Sequence, residues 1–246
     1  VLDHHRGTTE YGVGSGVVWD SDAGAEYREC LSKALILNRA PPPFRLLATL
    51  AWQPDTGYHL LDRHLRRLER AAAYFGFRFV AGEVQARLAD AATAFPASGQ
   101  RVRLQVDLHG DSTITHGPLP VPSVRPWRVT LSAQPVDMSD PFTYFKTTQR
   151  AVYERTRAAS PECDDVLLWN ERGELTESCI ANLALQRDGR WITPPVRCGL
   201  LDGVMREELL ACGKIEEGLL TRDDLRHAPA LALFNSVRGW IPAELA

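Results

Sequence analysis

Between Gly117 and Pro126 the chain carries four prolines, Pro118, Pro120, Pro122 and Pro126. A proline ring fixes φ and removes an amide donor, so neither a helix nor a central strand is expected to run through this stretch, and an extended connector over 118–126 is. A second break stands at Pro41-Pro42-Pro43. In 246 residues these breaks leave segments long enough for proper cores. The expected organisation is a leading segment 1–40, a small α/β domain 41–117, the connector, and a large domain 127–246.

Hydrophobic periodicity assigns elements within these segments. Gly12 to Trp19 reads as a glycine-spaced strand, and Asp20-Ser21-Asp22 as the cap of a helix from about Glu26 to Leu37. One strand and one helix cannot bury a core, so residues 1–40 do not read as the start of a domain. Phe44 to Trp52 is expected to be a strand. Leu61, Leu65, Leu68, Ala72 and Phe75 mark one face of a helix over Leu60–Phe75, and a second helix is expected from about Gly82 to Phe95. Arg101 to Val106 alternates as a half-buried strand, with a hairpin at His109-Gly110-Asp111 and a return strand to about His116. In the second half, strands are expected at Trp127–Ala133, Asp165–Trp169, Cys179–Gln186, Trp191–Ile192, near Ile215 and at Ala230–Phe234. Helices are expected at about Thr147–Ala159, Gly203–Ala211 and near Asp223. Strands and helices mix without regular alternation, so the class is α+β.

Net charge −3 gives no electrostatic reason to expect nucleic acid or an anionic membrane as partner. No apolar run approaches a membrane helix and no signal-peptide layout is present, so a soluble, cytoplasmic protein is expected. Cys30, Cys163, Cys179, Cys198 and Cys212 are odd in number and lack any Cys-x-x-Cys pair, so neither a disulfide framework nor a metal site is expected.

Lysine is scarce: Lys33, Lys146 and Lys214 are three among 28 basic residues. Apolar neighbours can strip the proton from an ammonium and leave a nucleophilic amine, whereas guanidinium stays charged. Lys146, in Phe145-Lys146-Thr147-Thr148-Gln149-Arg150, is therefore a candidate Schiff-base lysine. A pyridoxal ring held there needs three things more: an arginine and backbone donors for its phosphate, an acid for its pyridine nitrogen, and a proton carrier. Glu177 leads into an apolar strand, where a carboxylate is costly unless it meets a cation. Gly199 to Arg206 is a glycine-bearing turn opening a helix, able to present free N–H groups to phosphate.

Taken in order, Arg67 in His64-Leu65-Arg66-Arg67-Leu68, Lys146, Glu177 in Thr176-Glu177-Ser178-Cys179-Ile180-Ala181-Asn182, Gly203-Val204-Met205-Arg206 and Asn235-Ser236-Val237-Arg238-Gly239-Trp240 resemble the motifs of fold-type IV pyridoxal-phosphate enzymes. More closely, residues 44–246 resemble the 4-amino-4-deoxychorismate lyases within the class-IV aminotransferase family. The resemblance implies pyridoxal 5'-phosphate as cofactor, in a large cofactor-binding domain over 127–246. It implies Lys146 as the catalytic lysine, Glu177 as partner of the pyridine nitrogen, Arg67 and Ser236 as phosphate ligands, and the amides of Val204 and Met205 as further phosphate donors. It also implies a homodimer. Ala48-Thr49-Leu50 departs from the family, which more often has an acid before the threonine. For substrate, Arg150 and Tyr153 follow Lys146 at i+4 and i+7 and would share a helix face with it, and Arg238 offers a fork for a carboxylate. His64 reads as structural.

Residues 1–37 carry a second resemblance. Gly12-Val13-Gly14-Ser15-Gly16, Trp19-Asp20-Ser21, Glu26-Tyr27-Arg28-Glu29 and Lys33 resemble the C-terminal end of chorismate-binding enzymes, in particular component I of para-aminobenzoate synthase. Most of that fold is missing, so no working chorismate site is expected, and the chain reads as part of a longer synthase–lyase polypeptide. Val1 in place of methionine is expected of a chain processed or cut from something longer. The implied activity converts 4-amino-4-deoxychorismate to 4-aminobenzoate and pyruvate, a step of folate biosynthesis. A branched-chain or D-amino acid aminotransferase of the same fold would share every cofactor residue, and a catalytically silent module of a fused polypeptide is the third reading.

Overall fold

The computed structural model describes residues 2–3, 8–9, 12–14, 18–19, 21–34 and 43–246. The chain divides into two compact units, Val1–Pro43 and Phe44–Ala246. In the first, β1 (Leu2–Asp3) pairs antiparallel with β2 (Thr8–Thr9), and α1 spans Ala23–Ala34. Asp22 Oδ1 accepts the Ala25 amide at 2.8 Å and so caps α1. The strand expected over Gly12–Trp19 is not formed at its described positions: Gly12, Val13, Gly14 and Val18 carry no strand, and Trp19 lies in a turn. Repeated glycine makes a strand entropically costly and gives it few side chains to pack. Residues 15–17, Asp20, the helix end expected at 35–37, and Pro41 and Pro42 lie outside the described residues.

The second unit opens with β3 (Leu46–Gln53), β4 (Gly57–Tyr58), α2 (Leu61–Phe75), α3 (Ala81–Ala92), β5 (Gln100–Val106) and β6 (Ser112–Pro118). The strands form an antiparallel sheet in the order β4-β3-β5-β6. Alternation decides its two faces. Leu46, Ala48 and Leu50 of β3 and Val102, Leu104 and Val106 of β5 pack under Leu65, Leu68 and Ala72 of α2 and Val84 and Leu88 of α3. The intervening Leu47, Thr49, Arg101 and Arg103 point the other way. α2 stops at Gly76, whose φ of 72° lets its amide return to the Ala72 carbonyl. Residues 119–126 carry neither helix nor strand.

The remaining strands are β7 (Trp127–Leu131), β8 (Asp165–Trp169), β9 (Leu175–Ser178), β10 (Asn182–Arg187), β11 (Arg190–Thr193), β12 (Glu216–Glu217), β13 (Leu231–Asn235) and β14 (Gly239–Leu245). They form one mixed sheet in the order β12-β11-β10-β13-β14-β7-β8-β9. α4 (Ala151–Ala158), α5 (Val204–Ala211) and α6 (Arg222–His227) complete the unit. Leu167, Leu183, Leu185 and Leu233 face one core with Trp127 and Val129. Their neighbours Val166 and Leu168 turn to Val152 and Tyr153 of α4, while Ala184 and Phe234 meet Leu209 of α5. Both faces are covered, which is why these strands read as continuous apolar runs. Among the described residues no helix is long and apolar enough to cross a membrane.

Three expectations are corrected. The strand expected over Cys179–Gln186 begins only at Asn182, because Ser178 closes a tight turn on Ala181: the Ser178 amide donates to the Ala181 carbonyl at 2.8 Å and the Ala181 amide to Ser178 Oγ at 3.0 Å. Glu177 therefore sits inside β9 rather than at a strand entry. The helix expected from Thr147 begins at Ala151, since residues 146–148 pair along β3 instead. Lastly, β14 follows the final strand expected from the sequence. Pro242 argues against a central strand there, yet its recorded partner is Ala232 of β13, and pairing with β7 starts only at Ala243.

Leu104 has no exposed surface and lies between β3 and β6 under the helices. Leu104→Ala is expected to lower the free energy of unfolding by about 2–5 kcal/mol, measured by urea titration. A loss below about 1 kcal/mol would contradict this packing.

Candidate active site

A cavity of about 560 Å³ lies between the open face of the four-stranded sheet and the loops of the larger one. Lys146 enters it from an extended segment, not from a helix. Its carbonyl accepts the Leu47 amide at 2.9 Å, Thr147 bridges Leu46, and the Thr148 amide reaches the Arg45 carbonyl at 2.9 Å. Loss of hydration is the largest influence on the amine. With the neighbouring guanidinium groups of Arg150, Arg67 and Arg103, and against Glu177, it brings the pKa from 10.5 to about 7.

Glu177 is buried in β9, and burial raises its carboxyl from 4.5 to about 7. The Tyr153 hydroxyl, the Leu201 amide, Lys146 and Arg150 all act in the opposite direction. Tyr153 donates to Glu177 Oε1 at 2.9 Å. Arg150 donates to the Cys179 carbonyl at 2.6 Å and stacks over the Tyr153 ring at 4.6 Å. Arg150 and Tyr153 do line the cavity with Lys146, but the shared helix face expected for all three does not exist, because only Tyr153 stands within α4 and Arg150 is its N-cap.

Arg67, on the buried face of α2, has its pKa lowered to about 10 by burial and so stays charged at neutral pH. Its Nε has no hydrogen-bond partner, and Nη2 lies 3.5 Å from His64 Nδ1. Burial holds the His64 pKa well below 6.5, and Arg67 and Lys146 press it the same way, so its ring is neutral. The start of α5 lines the same cavity as Arg67. Its N-cap, Gly203, supplies no side-chain cap, which leaves the Val204 and Met205 amides at the cavity wall. A β-carbon at Gly203 would overlap Asn182 Oδ1, so any larger residue there requires the Asn182 side chain to move.

Ser236 and Arg238 reach the cavity from the turn after β13. Asn235 Oδ1 sets that turn by accepting the Val237 and Arg238 amides at 3.0 and 2.9 Å. The Arg238 guanidinium lies over Trp127 at 5.1 Å. Burial lowers its pKa, and Arg101 and Arg157 lower it further. Arg101, Arg103 and Arg157 were not among the residues expected from the sequence. The alternation of β5 identifies Val102 and Leu104 as its buried face and thereby places both arginines on the opposite one. What the pattern lacks is any sign that this face closes a cavity.

All the residues expected at the site, Arg67, Lys146, Arg150, Tyr153, Glu177, Val204, Met205, Ser236 and Arg238, line this one cavity. Comparison with known proteins bears on what such a cavity belongs to. The family described as amino-transferase class IV matches residues 48–245. A provisionally named aminodeoxychorismate lyase of Schizosaccharomyces pombe is 36% identical over 193 residues, 75% of this chain and 83% of that protein. The aminodeoxychorismate lyase of Saccharomyces cerevisiae is 35% identical over 136 residues, 47% of this chain and 36% of that longer protein. A crystal structure from Mesorhizobium loti, provisionally named an amino-acid aminotransferase, superposes with a TM-score of 0.78 at 38% identity, over 82% of this chain and 100% of that one. A match that spans most of the chain, together with the fold, establishes that the chain belongs to the class IV amino-transferase family.

Proposed function

We propose that the chain is a 4-amino-4-deoxychorismate lyase, which forms 4-aminobenzoate and pyruvate with pyridoxal 5'-phosphate bound in this cavity. Enzymes of the family generally depend on that cofactor. The observation that carries the reading is the charge of the lining: six arginines and Lys146 stand against Glu177 as the one carboxylate among the described residues. A phosphate accounts for Arg67. Arg150 is tied to the Cys179 carbonyl, and Arg101, Arg103, Arg157 and Arg238 remain, on walls where burial and the like charges of Arg101 and Arg157 depress Arg238. A substrate with two carboxylates offsets that repulsion. A branched-chain amino acid has one carboxylate and an aliphatic chain, and would leave these cations unmatched. The relatives named as lyases support the same choice.

The residues present fit the cofactor. A buried guanidinium with an unpartnered Nε, lining the same cavity as an uncapped helix start, suits a phosphate dianion. A buried carboxyl at the same cavity suits a protonated ring nitrogen. Pyridoxal 5'-phosphate, when bound, supplies an aldehyde carbon for a primary amine and a ring that accepts the electron pair left when a neighbouring C–H bond breaks. Arg67, Ser236 and the Val204 and Met205 amides hold the phosphate. Glu177 holds the proton at the ring nitrogen. Lys146, whose pKa near 7 leaves much of it neutral, takes the proton from the substrate ring carbon that bears nitrogen and returns one to the enolpyruvyl group as its C–O bond breaks. Arg101, Arg157 and Arg238 orient the substrate carboxylates.

In this reading, from the resemblance of its residues, Val1–Pro43 includes the remnant of a synthase component. The lyase then works as part of a longer, cytoplasmic polypeptide and pairs as a homodimer.

Incubation with 4-amino-4-deoxychorismate and pyridoxal phosphate should release 4-aminobenzoate and pyruvate in equal amounts with no keto acid added. Turnover only in the presence of a keto acid, with transfer of the amino group, would favour the aminotransferase reading. For Lys146, competitive labelling of the cofactor-free chain by a small acylating reagent should give a reactivity midpoint near pH 7. Below it the amine is protonated and silent. A midpoint near 10.5 would contradict the desolvation argument.

A further inference from the structure

The phenol of Tyr153 is already engaged. Its hydroxyl donates to Glu177 Oε1 at 2.9 Å, and its ring packs against the Arg150 guanidinium and against the apolar cluster of Val136, Val166, Leu168 and Cys179. Arg150 is itself tied to the Cys179 carbonyl, two residues beyond Glu177. The first turn of α4 and the end of β9 are thereby locked to each other. A hydroxyl fixed in this way is poorly placed to bind substrate.

We propose that Tyr153 is a positioning residue for Glu177: its hydrogen bond occupies Oε1 and weakens the basicity of the carboxylate, so that the proton shared with a bound pyridine ring stays on the ring nitrogen. This rests on the reading that Glu177 meets that nitrogen. The chemistry is a competition between two bases for one proton. A carboxylate in a dry site becomes a strong base, and Glu177 tends that way, since burial is the largest influence on it. Were it to capture the proton, the ring would be neutral and a poorer acceptor of electrons. The donors that oppose capture are the Tyr153 hydroxyl and the Leu201 amide, with Lys146 and Arg150 as nearby cations. Tyr153 can donate without losing its own proton, because burial and Glu177 hold its pKa well above 10. Of these groups, Tyr153 is the one whose donor can be deleted by removing a single atom.

The test is nuclear magnetic resonance of the protein loaded with pyridoxal phosphate labelled with nitrogen-15 in the ring, since the shift of that nitrogen reports its protonation directly. In the unaltered protein the shift is expected near the protonated value. Tyr153→Phe should reduce the ratio of protonated to neutral ring by about tenfold, the worth of one hydrogen bond to a charged group. Tyr153→p-aminophenylalanine keeps the ring and offers a weaker donor, so it should fall between the two; it also carries the test if the phenylalanine chain does not fold. Glu177→Gln serves as the reference. If the shift moves in Glu177→Gln but not in the Tyr153 variants, the role of Tyr153 is overturned while Glu177 keeps its own. If it moves in none of them, the placement of Glu177 against the ring nitrogen fails as well.

Discussion

A buried guanidinium and the start of a helix, both positive, line one cavity. Arg67 on α2 and the uncapped amides of α5 cannot favour each other's company without an anion between them. What holds the two helices together lies on the outside. Arg63 pairs with Glu207 and Glu208, Arg66 with Glu207 at 3.3 Å and Arg70 with Asp202 at 3.2 Å. Such partly exposed pairs are individually weak, but the series joins α2 to α5 at positions flanking Arg67. The fold thus maintains a charge arrangement that, in the proposed function, an internal phosphate would complete.

The acid–base pair illustrates how burial sets chemistry. Water around an ammonium and a carboxylate keeps them some six units apart in pKa, while the cavity brings Lys146 and Glu177 both to about 7. Neither is pulled there by the other; each is moved by loss of hydration and partly restrained by its neighbour. The excess of arginines favours a neutral amine at Lys146 and an ionised Glu177, which are the states that the proposed proton abstraction and ring protonation would require. One electrostatic environment therefore serves both roles.

Much of this was legible in the sequence, and the gaps have physical causes. The scarcity of lysine made Lys146 a candidate, and the cost of a carboxylate beside apolar residues made Glu177 one, but it was the resemblance to fold-type IV enzymes that chose them, and both line the cavity. The helix expected at Thr147 failed because Lys146 and Thr148 found hydrogen-bond partners in Leu47 and Arg45, about a hundred residues away. β14 was lost to Pro242, whose missing donor matters little where only β13 is paired. Arg101 and Arg103 were visible as the polar face of β5, yet the closing of that face against a second sheet is a property of the whole fold. Tyr153 was expected to meet substrate; it lines the cavity, and the bond of its hydroxyl to Glu177 is a tertiary contact that no local pattern shows.

In the proposed function Lys146 is the residue that meets the cofactor. Borohydride reduction of the protein incubated with pyridoxal phosphate, followed by peptide mapping, tests it most directly. The pyridoxyl group should be found on Lys146, within the peptide that continues through Thr147 and Thr148. A label on Lys33 or Lys214, with Lys146 unmodified, would contradict it.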